Sequence, residues 1–306
     1  MKKDENNLRR FETLSEAHSA FGLPHPKHPL ISLLKGAPSW SELHPPSQHH
    51  VLGFYKISYK PKLSGKLKYG QGYYDFDEGG LLFASPGQVI GAAENEEAIC
   101  SEFTLLIHPD FFLGYPIAKK ISQFGFFSYS TNEALHLSEN EKATIMAIFR
   151  IMEEELNGRI DDFSQDVVIS QLELLLTYAQ RFYKRQFITR KIESHDLLQR
   201  LEELLSSYFN NEEALSKGIP TVQYLAENLH LSPSYLSDML RTLTGQNAQQ
   251  HIHDKLIEKA KEKLSTTTLP VSDIAYTLGF EHPQSFSKLF KTKTNLSPLE
   301  FRQSFN

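Results

Sequence analysis

Two stretches in the last third of the chain repeat one another, and this duplication limits the possible folds more than any other feature. Residues 233–245 align with 283–295 at an offset of 50 (283 minus 233), which puts Leu236/Phe286, Ser237/Ser287, Leu240/Phe290, Thr242/Thr292 and Thr244/Thr294 in register. Upstream, Val222/Val271, Leu225/Ile274, Ala226/Ala275 and Leu229/Leu278 continue the match with an offset of 49 (271 minus 222). The one-residue slip falls where one copy has 230–232 and the other 279–282, both turn-like. A short helix, a tight turn and a second helix, written twice, predict two helix-turn-helix units.

The second helix of each unit has two faces. Ser232 is an N-cap residue type followed by Pro233, and His282 and Pro283 occupy the same places in the other copy. Leu236, Leu240 and Leu243 form an inward stripe, as do Phe286 and Phe290. The opposite stripe reads Ser234, Ser237, Asp238, Arg241 in one helix and Gln284, Ser287, Lys288, Lys291 in the other. These side chains are short or polar, as a helix needs if it is to enter a DNA major groove. A merely solvated face is the alternative, and the duplication with matching caps argues against it. Gly245 and Asn295 leave each helix where a left-handed residue is best tolerated. Between the units, residues 249–264 form one amphipathic helix. Ile252, Leu256, Ile257, Ala260 and Leu264 lie on one side, with Lys255, Lys259, Lys261 and Lys263 elsewhere.

With these motifs in hand, residues 218–305 resemble the DNA-binding domain of the AraC/XylS family of bacterial transcription regulators. The resemblance is carried by Leu225-Ala226, Ser232, Tyr235-Leu236, Thr244-Gly245 and the linker run from Ile252 to Leu264. It continues through Val271, Ile274-Ala275, Leu278-Gly279-Phe280, the run from Phe286 to Lys291, Ser297-Pro298 and Phe301-Arg302. It implies a double-stranded DNA operator as partner, with RNA polymerase as a further one if the protein is an activator. The DNA-contacting set expected is Ser234, Ser237, Asp238, Arg241, Lys255, His282, Gln284, Ser287, Lys288 and Lys291. Two positions depart from the family. Lys255 stands where Arg is common, which a phosphate contact tolerates, and Asp238 stands where many members carry a basic residue.

Charge agrees with this division. The chain carries a formal net charge of −5. From Lys217 onward there are ten Lys and Arg against eight Asp and Glu, a net of +2, which leaves 22 against 29, a net of −7, in the remainder. A mildly basic tail on an acidic body suits a DNA-binding module joined to something that does not touch DNA. The start of the chain is charged and runs into no apolar segment, so no signal peptide is expected. No apolar run approaches the length of a membrane-spanning helix. The single Cys100 excludes internal disulfides and cysteine-based zinc clusters and reads as a buried strand residue. A cytoplasmic location follows as an expectation.

The first 135 residues read as short aromatic and β-branched runs at 51–59, 66–74, 80–84, 88–92 and 99–107, broken by Pro61, Gly65, 75–80 and 85–87. This pattern predicts a small β-barrel or sandwich. The stretch 77–88 resembles a hairpin of the cupin-like sensor domains found in this family. His44, His49, His50 and His108 show no metal-binding spacing and read as solvated; no metal or cofactor is expected. Helices are predicted at 138–156, with Ser138 and Glu141 in capping-box spacing, at 163–186 and at 192–209. The first two are where the resemblance places dimer contacts, so a homodimer is expected.

The expected architecture is a two-domain α+β chain. Residues 1–190 form a cupin-like β-barrel with following helices, for sensing and dimerisation; 191–217 form a connecting helix and linker. Residues 218–306 form an all-α domain of two helix-turn-helix units joined by a linker helix. The expected function is sequence-specific DNA-binding transcription regulation, controlled by a small-molecule effector in the barrel whose lining residues are unknown. A cupin-like barrel enzyme with a DNA-binding tail is the alternative, against which stands the absence of any metal or nucleophile constellation; no enzymatic activity is expected.

Overall fold

The computed structural model describes residues 9–37, 50–61, 67–69, 72–74, 79–90, 101–130, 133–158, 163–189 and 191–305. The chain divides into two compact units, Met1–Gln186 and Phe187–Asn306. Cys100, His44, His49 and residues 77 and 78 of the 77–88 hairpin lie outside the described residues.

The first unit is β-rich. Strands β1 (Arg9–Phe11), β3 (His50–Leu52) and β8 (Val89–Ile90) form one sheet, with β1 parallel and β8 antiparallel to β3. A second sheet combines β2 (Ile31–Ala37), β4 (Tyr55–Lys60), β7 (Gly80–Ala84), β9 (Ser101–Ile107) and β10 (Leu135–His136) in the order β10-β7-β4-β9-β2. The strands β5 (Leu67–Tyr69) and β6 (Gly72–Tyr74) pair as a separate ribbon. Among the described residues these sheets are open, so they do not close the expected barrel.

Alternation along the large sheet explains its packing. Ile57, Tyr59, Leu81, Phe103 and Leu105 are fully buried on one face, and Phe103 stacks on Phe149 at 5.3 Å between ring centroids. Phe149 sits on α3 (Glu139–Asn157), whose Ser138 and Glu141 complete the expected capping box. The next long helix, α4 (Ser164–Thr189), returns Arg185 to Glu141 and to the carbonyl of His136 at 2.8 Å. The short helices α1 (Leu14–Ala20) and α2 (Ile117–Lys120) complete this unit.

Several expectations change here. The run 51–59 is two strands because the chain breaks at Gly53, where a Cβ would come within 2.8 Å of the Glu12 carboxylate. Strands β1 and β2 carry no strong period, and helix α1, opened by a Thr13–Glu16 capping box, adds an element to those expected. His50 is buried against the rings of Phe11 and Phe21 rather than solvated. His108 is only partly exposed and accepts a hydrogen bond from the Asp110 amide at 3.2 Å, capping a turn of 3-10 helix.

The second unit is all helical: α5 (Lys191–Asn210), α6 (Glu213–Lys217), α7 (Val222–Leu229), α8 (Pro233–Thr244), α9 (Ala248–Thr266), α10 (Val271–Thr277), α11 (Pro283–Thr294) and α12 (Pro298–Gln303). One face of α9 supplies Leu256, Ile257, Ala260 and Leu264 to a core with Ile274, Leu278, Phe286 and Phe290. Tyr208, Phe209 and Ala214 belong to the same core. The segment expected to be a connector is therefore an integral layer of this unit, because its apolar residues have a core to enter. Tyr208 also donates its hydroxyl to the Gly218 carbonyl at 3.0 Å.

Candidate nucleic-acid interface

Each copy builds its turn the same way. In the first, α7 ends at His230 in the left-handed conformation, and the Leu231 amide reaches back to the Ala226 carbonyl at 2.9 Å. In the second, Gly279 takes the left-handed place and the Phe280 amide reaches the Ala275 carbonyl at 3.0 Å. These are helix-terminating bonds of the Schellman kind. Glycine is required in the second turn: a Cβ on Gly279 would lie 2.6 Å from the carbonyl carbon of Gly218. His230 in the first copy has the same backbone shape in a non-glycine residue.

The caps of the second helices differ. Ser232 accepts the Tyr235 amide at 3.3 Å, whereas His282 is extended, exposed and makes no side-chain cap. Proline opens both helices at a position that needs no amide donor. At the other end the copies agree closely. The hydroxyls of Thr244 and Thr294 each donate back four residues at 2.8 Å and accept the amides of Gln246 and Leu296. Gly245 and Asn295 then turn left-handed, as the sequence suggested. Asn247 with Gln250, and Ser297 with Glu300, form matching capping boxes. The duplication thus runs on into α9 and α12, a signal readable in the sequence as Asn-x-x-Gln and Ser-x-x-Glu.

Inward, α8 buries Leu236 and Leu240 together with Tyr235 and Met239, while Leu243 is only half-buried. The inward residues of α11 are Phe286 and Phe290. Outward, α11 exposes Gln284, Lys288 and Lys291, with Ser287 half-buried beside them. Neither lysine has an ion pair among the described residues. On α8, Ser234, Ser237 and Asp238 are half-buried and Arg241 is exposed. The Arg241 guanidinium contacts Asp238 at 3.1 Å, so the single cation on this face is already matched by a carboxylate one turn away. The two outward faces therefore differ in charge, although their helices superpose in sequence.

Lys255 lies elsewhere in character from the other expected contacts. Its side chain is 8% exposed, and its ammonium is held by Glu202 of α5 and by Glu258 at 2.9 Å. Burial alone would lower its pKa, but these two carboxylates hold it above the ordinary lysine value. Such a lysine joins α5 to α9 rather than presenting an open charge. The sequence shows only a lysine on a helix; the partner that buries it comes from 53 residues away.

In the first unit a cleft of about 500 Å³ is bordered by His18, His25, Lys27, His28, Lys35 and Glu153, among others. Burial lowers the pKa of His28. Among the described residues, no group of three His, Cys, Asp or Glu is placed to hold a metal ion, and no helix is long and apolar enough to cross a membrane.

Known proteins share this second unit. A helix-turn-helix domain family matches residues 225–304. The arabinose operon regulatory protein of Salmonella typhimurium is 38% identical over 78 residues, which is 26% of this chain and 28% of that protein. The match thus spans little more than a quarter of that relative. Among solved structures, the C-terminal domain of the two-component response regulator yesN from Fusobacterium nucleatum is 34% identical, covering 33% of this chain and 96% of that one, with a TM-score of 0.29. The regulatory protein SoxS of Salmonella typhimurium is 32% identical over 81 residues, 26% of this chain but 76% of that protein. With duplicated units, shared caps and a relative matched over three quarters of its length, this chain belongs to the AraC/XylS family of helix-turn-helix transcription regulators.

Proposed function

We propose that the chain is a sequence-specific transcription regulator whose helices α8 and α11 enter two successive major-groove segments of double-stranded DNA, ~34 Å apart. The observation that carries this reading is the outward face of α11, where Gln284, Lys288 and Lys291 stand exposed on a helix fixed by a fully buried aromatic pair. Gln284 and Lys288 are suited to base edges, since an amide pairs with adenine and an ammonium with guanine. Ser287 and Lys291, with Ser234 and Ser237, flank them as positioning contacts, and His282 stands exposed at the start of α11. Lys255 is left out of this set because its charge is already engaged. Replacing Gln284 or Lys288 by alanine is expected to weaken specific binding by about 1–3 kcal/mol. Wild-type affinity in both variants, measured by band-shift titration on a site selected from random duplex DNA, would end this assignment.

Small-molecule control through the first unit is a second part of the proposal, with 1–190 as a cupin-like sensor and 218–306 as the DNA-binding part. The cleft of about 500 Å³ falls within the size range of small-molecule sites. Exposed Ile151 on α3 and Val167 and Leu174 on α4 favour a homodimer through these helices. A dimer would hold two operator halves at once and gain affinity through effective concentration. Sedimentation accompanies the same titration, and a full chain that stays monomeric on and off DNA removes the dimer from the proposal.

A further inference from the structure

We propose that Asp254 sets the separation of the two recognition helices and so selects which spacing of DNA segments the protein accepts. This rests on the reading of α8 and α11 as groove-entering helices and adds to it a positioning residue that contacts no DNA. Asp254 lies on α9, and its two carboxylate oxygens are divided between the two units. One accepts from the Lys293 ammonium, in the last turn of α11, at 2.7 Å. The other accepts from the side-chain Nε2 of Gln246 at 2.8 Å, one residue after the glycine that closes α8. One turn earlier on α9, His251 Nε2 lies 2.9 Å from the hydroxyl of Thr244, the final residue of α8. The C-terminal ends of both recognition helices are thus tied to the same part of α9.

The charge state suits a clamp. Burial resists ionisation of Asp254, but the hydrogen bonds from Lys293 and Gln246 and the nearby charge outweigh it and hold the carboxyl below its ordinary value. Charge-assisted bonds of this kind have direction as well as strength. Apolar contacts along α9 have little directionality, so they resist separation of the helices better than rotation.

The second copy carries no counterpart of this clamp. At the offset of 50, Lys293 corresponds to Leu243, Gln246 to Leu296, His251 to Phe301 and Asp254 to Ser304. The second copy carries Leu296, Phe301 and Ser304 at these places, and Phe301 packs on Phe290 at 5.4 Å. Comparing the two copies, the carboxylate that reaches both recognition helices stands where the first unit meets the second.

The test uses the full chain and random duplex DNA from which bound sequences are selected. Wild type is expected to enrich a two-part motif at one spacing. Asp254→Ala should enrich the same two parts at more than one spacing, and its discrimination against a single inserted base pair should fall about five-fold. Lys293→Met, which removes one arm at a partly exposed side chain, should relax spacing in the same direction and serves if Asp254→Ala does not fold. A single unchanged spacing in a folded variant overturns the assignment to Asp254 while leaving the DNA-binding reading intact. Failure of wild type to enrich any motif overturns both.

Discussion

The two helix-turn-helix units began as one sequence pattern and now solve the same problem with different chemistry. In the first, the recognition helix buries Tyr235, Leu236, Met239 and Leu240, is capped by Ser232, and pairs its one outward cation with Asp238. In the second, the recognition helix buries Phe286 and Phe290, lacks a side-chain cap, and leaves Lys288 and Lys291 exposed. The difference teaches that backbone shape, turn bonds and capping boxes suffice to keep the motif, while core composition and surface charge are free to diverge. The outward charge differs accordingly, with Arg241 matched by Asp238 on α8 and Lys288 and Lys291 exposed on α11.

Core chemistry offers the sharpest way to break this comparison. Phe286 is fully buried between Phe280 at 5.4 Å and Phe290 at 5.7 Å, so Phe286→Ala is expected to cost about 3–5 kcal/mol. Leu236→Ala, at the equivalent position, removes a smaller buried group and should cost less, near the lower end of about 2–5 kcal/mol. Denaturant unfolding of the full chain followed by helical circular dichroism ranks the two. Equal costs would mean that the aromatic core gives the second unit nothing extra.

The turns come next, and here the equivalent positions should respond with opposite sign. Gly279→Ala forces a Cβ against Gly218 at a positive φ and should destabilise by about 1–3 kcal/mol. His230→Gly relieves a left-handed non-glycine residue and should be neutral or stabilising, by at most about 1 kcal/mol. Thermal melting of both variants decides this, and a destabilised His230→Gly would show that the imidazole contributes something beyond its backbone shape.

The smallest expected contrast lies at the caps. Ser232→Ala loses the bond to the Tyr235 amide and should cost about 1 kcal/mol, whereas His282→Ala removes no cap and should leave stability unchanged. If His282→Ala melts lower than Ser232→Ala, the capping difference between the copies is not what the geometry implies.

What the sequence determined by itself about the second unit was written mostly in short-range patterns. The turn residues, Pro233 and Pro283, Gly245 and Asn295, and the i, i+4 stripes each act within a few residues, so the helices and their outward faces were legible directly. The long helices of the first unit were legible for the same reason, with Ser138 and Glu141 capping as their spacing implied. Tertiary structure alone decided what depends on residues far apart in the chain. Lys255 reads as a surface lysine until Glu202 closes over it. Asp254 reads as one more helix acid until Lys293, 39 residues later, takes half of its carboxylate. The segment 191–217 reads as a connector until Tyr208 and Phe209 find a core to enter. A side chain's charge and apolar area are local properties, whereas its burial and its partner come from packing between elements that no local period encodes.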